Sequence, residues 1–321
     1  MDSEIRILVI RFSSLGDVVL TTPLIRALRS EHPHGHIAFV TKEKYAPVLH
    51  GNPHLSAVET LGDGASLCSL GRKLRSERFD YVLDLHDNLR SRLLRLIVPG
   101  TWSTYSKRRL ARSVLAGWGW NVYRDSVPVA ERYFAAAKDL GVAPDGNPPD
   151  VHPAPADLEK AARIVDSETV VLAPGSRQNT KRWPAMHWQD LARSLIAMGL
   201  KVVAVGRSDE AHLVGEPAIP AYGHRLGVAA AMLALARVVV CNDSGLMHLT
   251  TAVGTPVVAV FGPTVKDFGF FPYAPDAHVV QRNLECRPCS INGSESCPLG
   301  HHFCMREISP GSVLTALQQA A

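Results

Sequence analysis

Small and polar residues at 242–245 interrupt an apolar run and come directly before a stretch with a helical apolar period. The run before them, Arg237 to Cys241, is typical of a buried strand. A strand that ends in Asp-Ser-Gly against a helix start presents unpaired backbone N–H groups with no bulky side chain in front of them. This pattern predicts a cradle for a phosphate. The alternative is an ordinary turn with Asp243 or Ser244 as the N-cap.

A second polar loop, residues 174–184, follows the apolar run Thr169 to Ala173. It combines a glycine with hydroxyl and amide side chains and with the cations Lys181 and Arg182. Backbone N–H groups and point charges together suit a diphosphate, although no Gly-Lys-Ser/Thr closes a Walker loop. The loop therefore predicts an anion site, with a purely structural loop as the alternative.

Asp17 stands in a short polar loop after the first apolar run, Ile5 to Arg11, and directly follows Gly16. Open α/β sheets bind ligands at the carboxyl ends of their strands. A carboxylate there is a candidate general base, which requires a hydroxyl within reach and a pKa near working pH, as burial in a closing cleft would supply. The alternative is an ordinary N-cap.

An acidic pair follows the apolar run Lys201 to Val205. In nucleotide-binding folds an acid at this place binds the ribose hydroxyls, and we choose Glu210 over Asp209 for that role. The alternative is an acid favoured by the dipole of a helix N-terminus.

Four cysteines and two histidines, His301 and His302, lie close together in sequence near the C-terminus. They could form a Cys₄ or Cys₃His structural zinc site, although the second pair is spaced more widely than in usual zinc ribbons. The alternative is a buried thiol cluster without metal, since a reducing cytosol disfavours disulfides. The cysteines are Cys286, Cys289, Cys297 and Cys304.

The elements that must position these residues alternate between strand-like runs and helical patterns, which predicts an α/β fold with parallel sheets. The chain has 321 residues, 46% of them hydrophobic, enough for two domains. A proline-rich segment, Val142 to Pro155, predicts a linker between domains 1–150 and 151–321. The terminal helix, Pro310 to Gln319, could fold back across that junction. The remaining predicted strands are His36 to Thr41, Ala57 to Leu61, Phe79 to Asp84 and Val257 to Phe261.

No basic leader precedes the first apolar run, and no segment approaches the roughly 20 apolar residues that span a bilayer. We therefore expect a soluble, cytoplasmic protein. The net charge is +4, with an arginine-rich band in the middle of the first half. Such a band suits a phosphorylated acceptor, an anionic membrane surface or nucleic acid, although no aromatic interleaving favours nucleic acid. The alternative is solvated helix faces. The band comprises Arg72, Lys73, Arg75, Arg78, Arg90, Arg92, Arg95, Lys107, Arg108, Arg109, Arg112, Arg124 and Arg132.

Taken together, these motifs resemble the ADP-heptose:lipopolysaccharide heptosyltransferases, a family of inverting glycosyltransferases with the GT-B fold. The resemblance covers nearly the whole chain, and its cysteine segment is more similar to the second heptosyltransferase of the pathway than to the first. The motifs that carry it are residues 13–17, 84–91, 174–176, 181–184, 242–249 and 260–264.

The resemblance implies two Rossmann-like domains that face a central cleft, the N-terminal one for the acceptor and the C-terminal one for the nucleotide sugar. It assigns Asp17 as general base and Lys181 as the cation on the donor diphosphate. The remaining donor-binding positions are Ser176, Glu210, Asp243, Ser244, Gly245, Leu246 and His248. The acceptor-binding positions are Ser14, Gly16 and Arg90.

By the same resemblance, the donor is ADP-heptose and the acceptor a lipid A-linked core oligosaccharide. Transfer requires no metal cofactor, and nucleic acid is not a partner. We expect the protein at the inner face of the cytoplasmic membrane, peripherally bound. The alternatives are another nucleotide-sugar glycosyltransferase or a sugar-nucleotide epimerase on the same fold, and a non-catalytic sugar-nucleotide-binding protein.

Overall fold

A computed structural model describes residues 4–320, and their contacts divide the chain into two units. The first unit comprises the residues up to 107 together with 129–152, and the second comprises 108–128 together with 153 onward. The chain enters the second unit twice, and the last crossing lies between His152 and Pro153, inside the proline-rich segment. The segment 108–128 is thus part of the second unit although first-unit residues flank it on both sides.

The first unit is a five-stranded parallel sheet with the strand order β3-β2-β1-β4-β5. Its central strand is almost completely buried, as expected for a parallel sheet covered on both faces. The strands are β1 Arg6–Ile10, β2 His36–Lys42, β3 Ala57–Leu61, β4 Tyr81–Asp84 and β5 Thr101–Thr104. The helices are α1 Leu15–Val19, α2 Thr22–Glu31, α3 Leu67–Ser76, α4 Leu89–Arg95 and α6 Val129–Arg132, with 3₁₀ helices at Glu43–Val48 and Tyr133–Leu140.

The second unit is a six-stranded parallel sheet with the order β11-β10-β9-β6-β7-β8. Its strands are β6 Thr169–Ala173, β7 Lys201–Gly206, β8 Ile219–Tyr222, β9 Val238–Asn242, β10 Val257–Phe261 and β11 Ala277–Gln281. Its helices are α5 Arg109–Trp118, α7 Pro155–Ala161, α8 Ala185–Ala197, α9 Leu226–Leu235, α10 Gly245–Ala252, α11 Phe303–Arg306 and α12 Pro310–Ala320, with 3₁₀ helices at Asn179–Lys181, Ser208–Leu213 and Lys266–Phe268.

The core of the second unit shows why its strand runs are so apolar. Strands β6, β9 and β10 are buried along their whole length, and the side chains of Trp183 and Trp188 pack edge to face beneath them with ring centroids 5.1 Å apart. The terminal helix α12 packs on this same sheet, with Val313 and Leu317 in the core.

The α/β fold with two parallel sheets is confirmed, and all eight predicted strands are present with ends that differ by at most two residues. Three strands were not predicted, namely β5, β8 and β11, and each is the outermost strand at an edge of its sheet. In residues 4–320, no helix combines the length and apolar character needed to cross a bilayer.

Candidate functional site

The first candidate site lies in the first unit, where β1 ends and α1 begins. Arg11, directly after β1, is 7% exposed, and its Nη2 lies 2.6 Å from Asp17 Oδ1. Its Nη1 donates a hydrogen bond to the backbone oxygen of Leu85, after β4, and the guanidinium lies 5.8 Å from the centre of the Tyr133 ring. The segment after β1 thus carries both the buried cation and the carboxylate, and the neighbouring strand β4 is followed by the backbone oxygen that binds the cation.

Asp17 Oδ2 accepts hydrogen bonds from the Ser14 hydroxyl at 2.7 Å and from the Ser14 backbone N–H at 3.0 Å. Ser14 is therefore the N-cap residue of α1 and Asp17 the third residue of the helix, so the alternative of Asp17 as the N-cap is wrong. Both carboxylate oxygens have partners within the unit.

The electrostatics of Asp17 differ from the expectation of a pKa near working pH. Burial raises the pKa of this carboxyl, but the Arg11 guanidinium and the Ser14 hydrogen bonds outweigh burial and lower the pKa to about 2. Burial alone favours the higher pKa that a base in a closing cleft requires, but in this structure the buried cation and the Ser14 hydrogen bonds prevail. Asp17 is a carboxylate throughout the physiological range.

His86 adds a neutral group beside this pair. Burial, the Arg11 guanidinium and the Lys107 ammonium lower the pKa of His86 to about 4. Its ring stands edge-on to Phe12 with centroids 5.6 Å apart, and the backbone N–H of His86 donates to Asp84 Oδ1 at 2.9 Å. The imidazole is therefore uncharged at neutral pH.

The residues predicted to bind an acceptor are spread over this unit. Ser14 contacts Asp17, Gly16 is buried in α1, and Arg90 is exposed on α4. Arg11 is not among the predicted site residues, although it ends the first predicted strand, Ile5 to Arg11. A charged residue that ends an otherwise apolar run was the signal that could have found it.

The second candidate site lies in the second unit around Asp243. Its Oδ2 is 2.6 Å from Lys181 Nζ and accepts a hydrogen bond of 2.6 Å from the Thr264 hydroxyl. Asp243 is 6% exposed, and the Lys181 side chain is 15% exposed. The predicted loops 174–184 and 242–245 therefore meet, and Thr264, after β10, joins them. The pairing also fixes the Lys181 ammonium next to the residue that precedes Ser244, the N-cap of α10.

The start of α10 retains free hydrogen-bonding capacity. Ser244 is the N-cap residue and has an extended backbone, but its hydroxyl makes no capping hydrogen bond to the helix. The Ser244 Oγ is buried and has no partner among the described residues. The first N–H groups of a helix have no partner within it, so those beyond Ser244 remain available to an anion. This feature favours the phosphate cradle over an ordinary capped turn.

Asn242 holds the two loops of this site together. It is fully buried, and its amide nitrogen donates to the backbone oxygen of Pro174 at 2.6 Å while its amide oxygen accepts the backbone N–H of Trp183 at 3.1 Å. Ser176 adds a hydrogen bond of 3.3 Å from its hydroxyl to the backbone oxygen of Asp243. Asn242 belonged to the motif read from the sequence but not to the predicted site residues.

Glu210 is the buried acid of the second unit. Its carboxylate accepts the backbone N–H of Arg207 at 2.9 Å and is 6% exposed, whereas Asp209 is exposed and pairs with the Arg207 guanidinium at 2.6 Å. A Cβ added to Gly175 would collide with this carboxylate, and one added to Gly206 would lie 2.7 Å from it. Because these two residues have no side chain, the loop 174–184 and the end of β7 can both lie against the Glu210 carboxylate.

The remaining predicted donor residues lie on α10. Leu246 is in its first turn, after Gly245, and His248 is 4% exposed with its ring 6.4 Å from that of Phe270. His248 is thus part of the packing that fixes the helix.

The four C-terminal cysteines do not form the predicted zinc site. Cys304 lies in α11 and packs into the core of the second unit, where burial and the neighbouring Cys289 raise the pKa of its thiol to about 11. Among residues 4–320, no group of three or more His, Cys, Asp or Glu side chains is arranged to hold a metal ion. The four thiols lie near enough to shift one another's pKa values, but they are not arranged as a set of metal ligands, so this structure favours the alternative of a thiol cluster without metal.

The arginine-rich band is not one surface. Arg112 lies over the Phe270 ring at 5.0 Å, Arg132 is 7% exposed, and Arg108 pairs with Asp125 in the segment that belongs to the second unit. Only part of the band lies together, on α3 and α4 of the first unit.

Two parallel α/β units, each with polar loops at the carboxyl ends of its strands, define the class of two-unit α/β folds in which ligands bind at those strand ends. A family model described as Glycosyltransferase family 9 (heptosyltransferase) matches residues 67–299. The chain belongs to glycosyltransferase family 9, and it is a glycosyltransferase of the heptosyltransferase kind.

Individual relatives match this chain over nearly its full length. Lipopolysaccharide heptosyltransferase 2 of Salmonella typhimurium is 29% identical over 97% of each chain. The solved glycosyl transferase family 9 protein of Veillonella parvula is 24% identical, with a TM-score of 0.79 over 100% of this chain and 98% of that one. The ADP-heptose lps heptosyltransferase II of E. coli is 24% identical, with a TM-score of 0.77 over 98% of each chain. The two solved structures share the fold of this chain.

Proposed function

We propose that this protein transfers heptose from ADP-heptose to the lipid A-linked inner core of lipopolysaccharide, with inversion at the anomeric carbon. The family membership supports the reaction class, and the names of the similar proteins supply the donor and the acceptor. The observation that carries the proposal is the position of Lys181 beside Asp243, the residue before the N-cap of α10.

On the donor side, the diphosphate binds at the N-terminus of α10. The N–H groups of Gly245 and Leu246, the helix dipole and the Lys181 ammonium take up the negative charge that develops on the leaving ADP. Ser176 and the buried Asp243 position this cradle, and the Glu210 carboxylate receives the ribose hydroxyls. In this proposal, protein groups rather than a divalent ion stabilise the leaving group.

On the acceptor side, Asp17 acts as general base. The acceptor hydroxyl oxygen attacks the anomeric carbon, the bond from that carbon to the diphosphate oxygen breaks, and the hydroxyl proton passes to Asp17. Because Arg11 and Ser14 keep the pKa of Asp17 near 2, the carboxylate is always ionised. Such a weak base receives the proton late, once the attacking oxygen has become acidic by bonding to carbon.

The acceptor is anchored by lipid, so the proposal places the protein in the cytoplasm, bound peripherally at the inner membrane. The exposed arginines of α3 and α4, Arg72, Arg75, Arg90 and Arg95, support membrane binding through their attraction to anionic lipid.

The test is a transfer assay with purified full-length protein, ADP-heptose and a deacylated inner-core acceptor. We expect ADP release that depends on the acceptor, and a product whose anomeric configuration, read by NMR, is opposite to that of the donor. Conversion of the donor without acceptor would identify an epimerase instead. Donor binding without turnover would identify a binding protein. Transfer should continue in the presence of EDTA. Loss of transfer in EDTA would show that the mechanism requires a metal ion.

A further inference from the structure

Helices α3 and α4 of the first unit pack side by side and bury one face each. Leu70 and Leu74 of α3 and Leu94 of α4 belong to the same hydrophobic core. A Cβ added to Gly71 of α3 would lie 2.9 Å from the Ile97 side chain, just after α4, so the two elements are in close contact. The outward faces of both helices therefore form one continuous surface, which we call the α3–α4 face. It consists of Arg72, Lys73, Arg75, Leu89, Arg90, Arg92, Leu93, Arg95 and Leu96.

The α3–α4 face carries an apolar stripe in an unusual place. Leu89, Leu93 and Leu96 are 74%, 43% and 82% exposed, although α4 already buries Leu94 completely. At about 100° per residue, the three leucines fall within a narrow arc of the helix. Arg90 and Arg92 lie on either side of that arc. A helix with leucine in the middle and arginine at both margins has the pattern of a segment that lies in a membrane interface.

The cations of this face are largely uncompensated. Lys73 pairs with Glu59 at 2.5 Å and Arg92 with Asp87 at 2.9 Å. In the part of the chain that the structure describes, no carboxylate pairs with the remaining arginines, which are Arg72, Arg75, Arg90 and Arg95. Four unpaired guanidinium groups suit an anionic surface, and the exposed leucines beside them suit an apolar layer just below it. A bilayer of anionic lipid has both layers in this order.

We propose that the α3–α4 face docks on an anionic phospholipid bilayer, with Leu89, Leu93 and Leu96 inserted below the headgroups and the arginines on the lipid phosphates. This inference deepens the proposed function and rests on it, since a lipid-anchored acceptor must be reached at the membrane. A second copy of the chain is a poorer occupant, because a symmetric contact would bring the same four arginines together.

Sedimentation of the full-length protein with lipopolysaccharide-free vesicles tests the inference. Vesicles of phosphatidylglycerol and phosphatidylcholine should bind it, more weakly as salt rises, and vesicles of phosphatidylcholine alone should bind it far less. The triple variant L89Q/L93Q/L96Q should lower the partition coefficient about 100-fold. R72Q/R75Q should lower it about 30-fold and flatten its dependence on salt. All five positions are exposed, so the variants should retain the fold.

Matched controls locate the contact. M186Q/M198Q removes two exposed apolar side chains of the second unit and should leave vesicle binding unchanged. W118Q/W120Q removes the exposed indole pair near the end of α5, whose ring centroids lie 6.4 Å apart. Undiminished vesicle binding by the leucine variant, or its loss in the tryptophan variant alone, would overturn the inference.

Transfer assays separate this inference from the proposed function. With the deacylated acceptor, the leucine variant should match the unsubstituted protein, and with vesicle-embedded acceptor it should be slower. A protein that binds the vesicles through these leucines but transfers to neither acceptor would refute the proposed function and leave the docking surface standing. Equal transfer by both proteins to vesicle-embedded acceptor would refute the docking surface alone.

Discussion

Arg11 Nη2 lies 2.6 Å from Asp17 Oδ1, and this buried contact determines the charge of the carboxylate to which we assign the base role. Burial raises the pKa of Asp17, whereas Arg11 and the Ser14 hydrogen bonds lower it and prevail. The pH dependence of the reaction should therefore report on Arg11 as well as on Asp17.

Replacing Arg11 by methionine should move the acid limb of kcat/KM to higher pH. A lowered pKa in the folded protein means that Asp17 takes up a proton only near pH 2, so the unsubstituted enzyme should show no loss from this group between pH 7 and pH 4. Without the cation, only the Ser14 hydrogen bonds oppose burial, so the pKa of Asp17 should rise and kcat/KM should fall as the pH drops toward 4.

The measurement is a profile of kcat/KM from pH 4 to pH 9, with circular dichroism at each pH. Removing one partner of a buried ion pair costs about 3–5 kcal/mol, so R11K serves as the variant that keeps a positive charge and the fold. For R11K, the acid limb of the kcat/KM profile should stay at low pH, as in the unsubstituted protein. Identical profiles for R11M and the unsubstituted protein would show that Arg11 does not control the charge of Asp17.

Replacing Asp17 by asparagine should lower kcat by about 10²–10⁴-fold, because the amide has the size of the carboxylate but takes up no proton. Affinity for ADP, measured by calorimetry, should be unchanged, since the donor cradle is built from residues of the second unit. The control is S14A, which removes one of the hydrogen bonds to Asp17 but leaves the carboxylate in place. Near-normal turnover by D17N would remove Asp17 from the mechanism.

The sequence predicted the fold well where burial leaves a strong pattern. Strands β6 and β10 are continuous buried runs, and their predicted ends agree with the structure residue for residue. Strand β5, Thr101–Thr104, is a half-exposed edge strand with only Trp102 as a large apolar residue, so no periodicity indicates it. The same holds for β8, whose sequence is Ile-Pro-Ala-Tyr, with a proline that is typical of an edge.

The candidate site was predictable in its loops but not in its pairings. Lys181 and Asp243 are 62 positions apart in sequence and form an ion pair only because β6 and β9 are neighbours in the sheet. The strand order 11-10-9-6-7-8 is a tertiary property that local patterns do not contain. The role of Arg11 escaped prediction for the same reason, since its contact with the backbone of Leu85 depends on the pairing of β1 with β4.

Replacing Lys181 by methionine should weaken ADP binding about 10–30-fold, because a charge-assisted contact to the diphosphate is lost. The effect should be smaller for adenosine, which has no phosphate. Calorimetric titration with both ligands measures the difference. K201M is the control, because Lys201 pairs with the exposed Asp166 and should leave both affinities unchanged. Equal losses for ADP and adenosine would count against a diphosphate contact.

Replacing Asn242 by leucine should destabilise the second unit by about 2–4 kcal/mol, because two buried backbone groups lose their partners. The backbone oxygen of Pro174 and the N–H of Trp183 have this amide as a partner, and both lie away from water. Loss of the link should also loosen the loop that carries Lys181, so ADP affinity should fall together with the free energy of unfolding. Urea unfolding followed by tryptophan fluorescence measures the first quantity and calorimetry the second.

The matched control is N179A, which removes an amide whose hydrogen bond to Glu295 is exposed. It should change the free energy of unfolding by less than about 0.5 kcal/mol. A drop in ADP affinity for N242L without a loss of stability would mean that Asn242 contacts the ligand rather than the two loops. A loss of stability with unchanged ADP affinity would mean that the cradle at α10 keeps its shape without the link to residues 174–184.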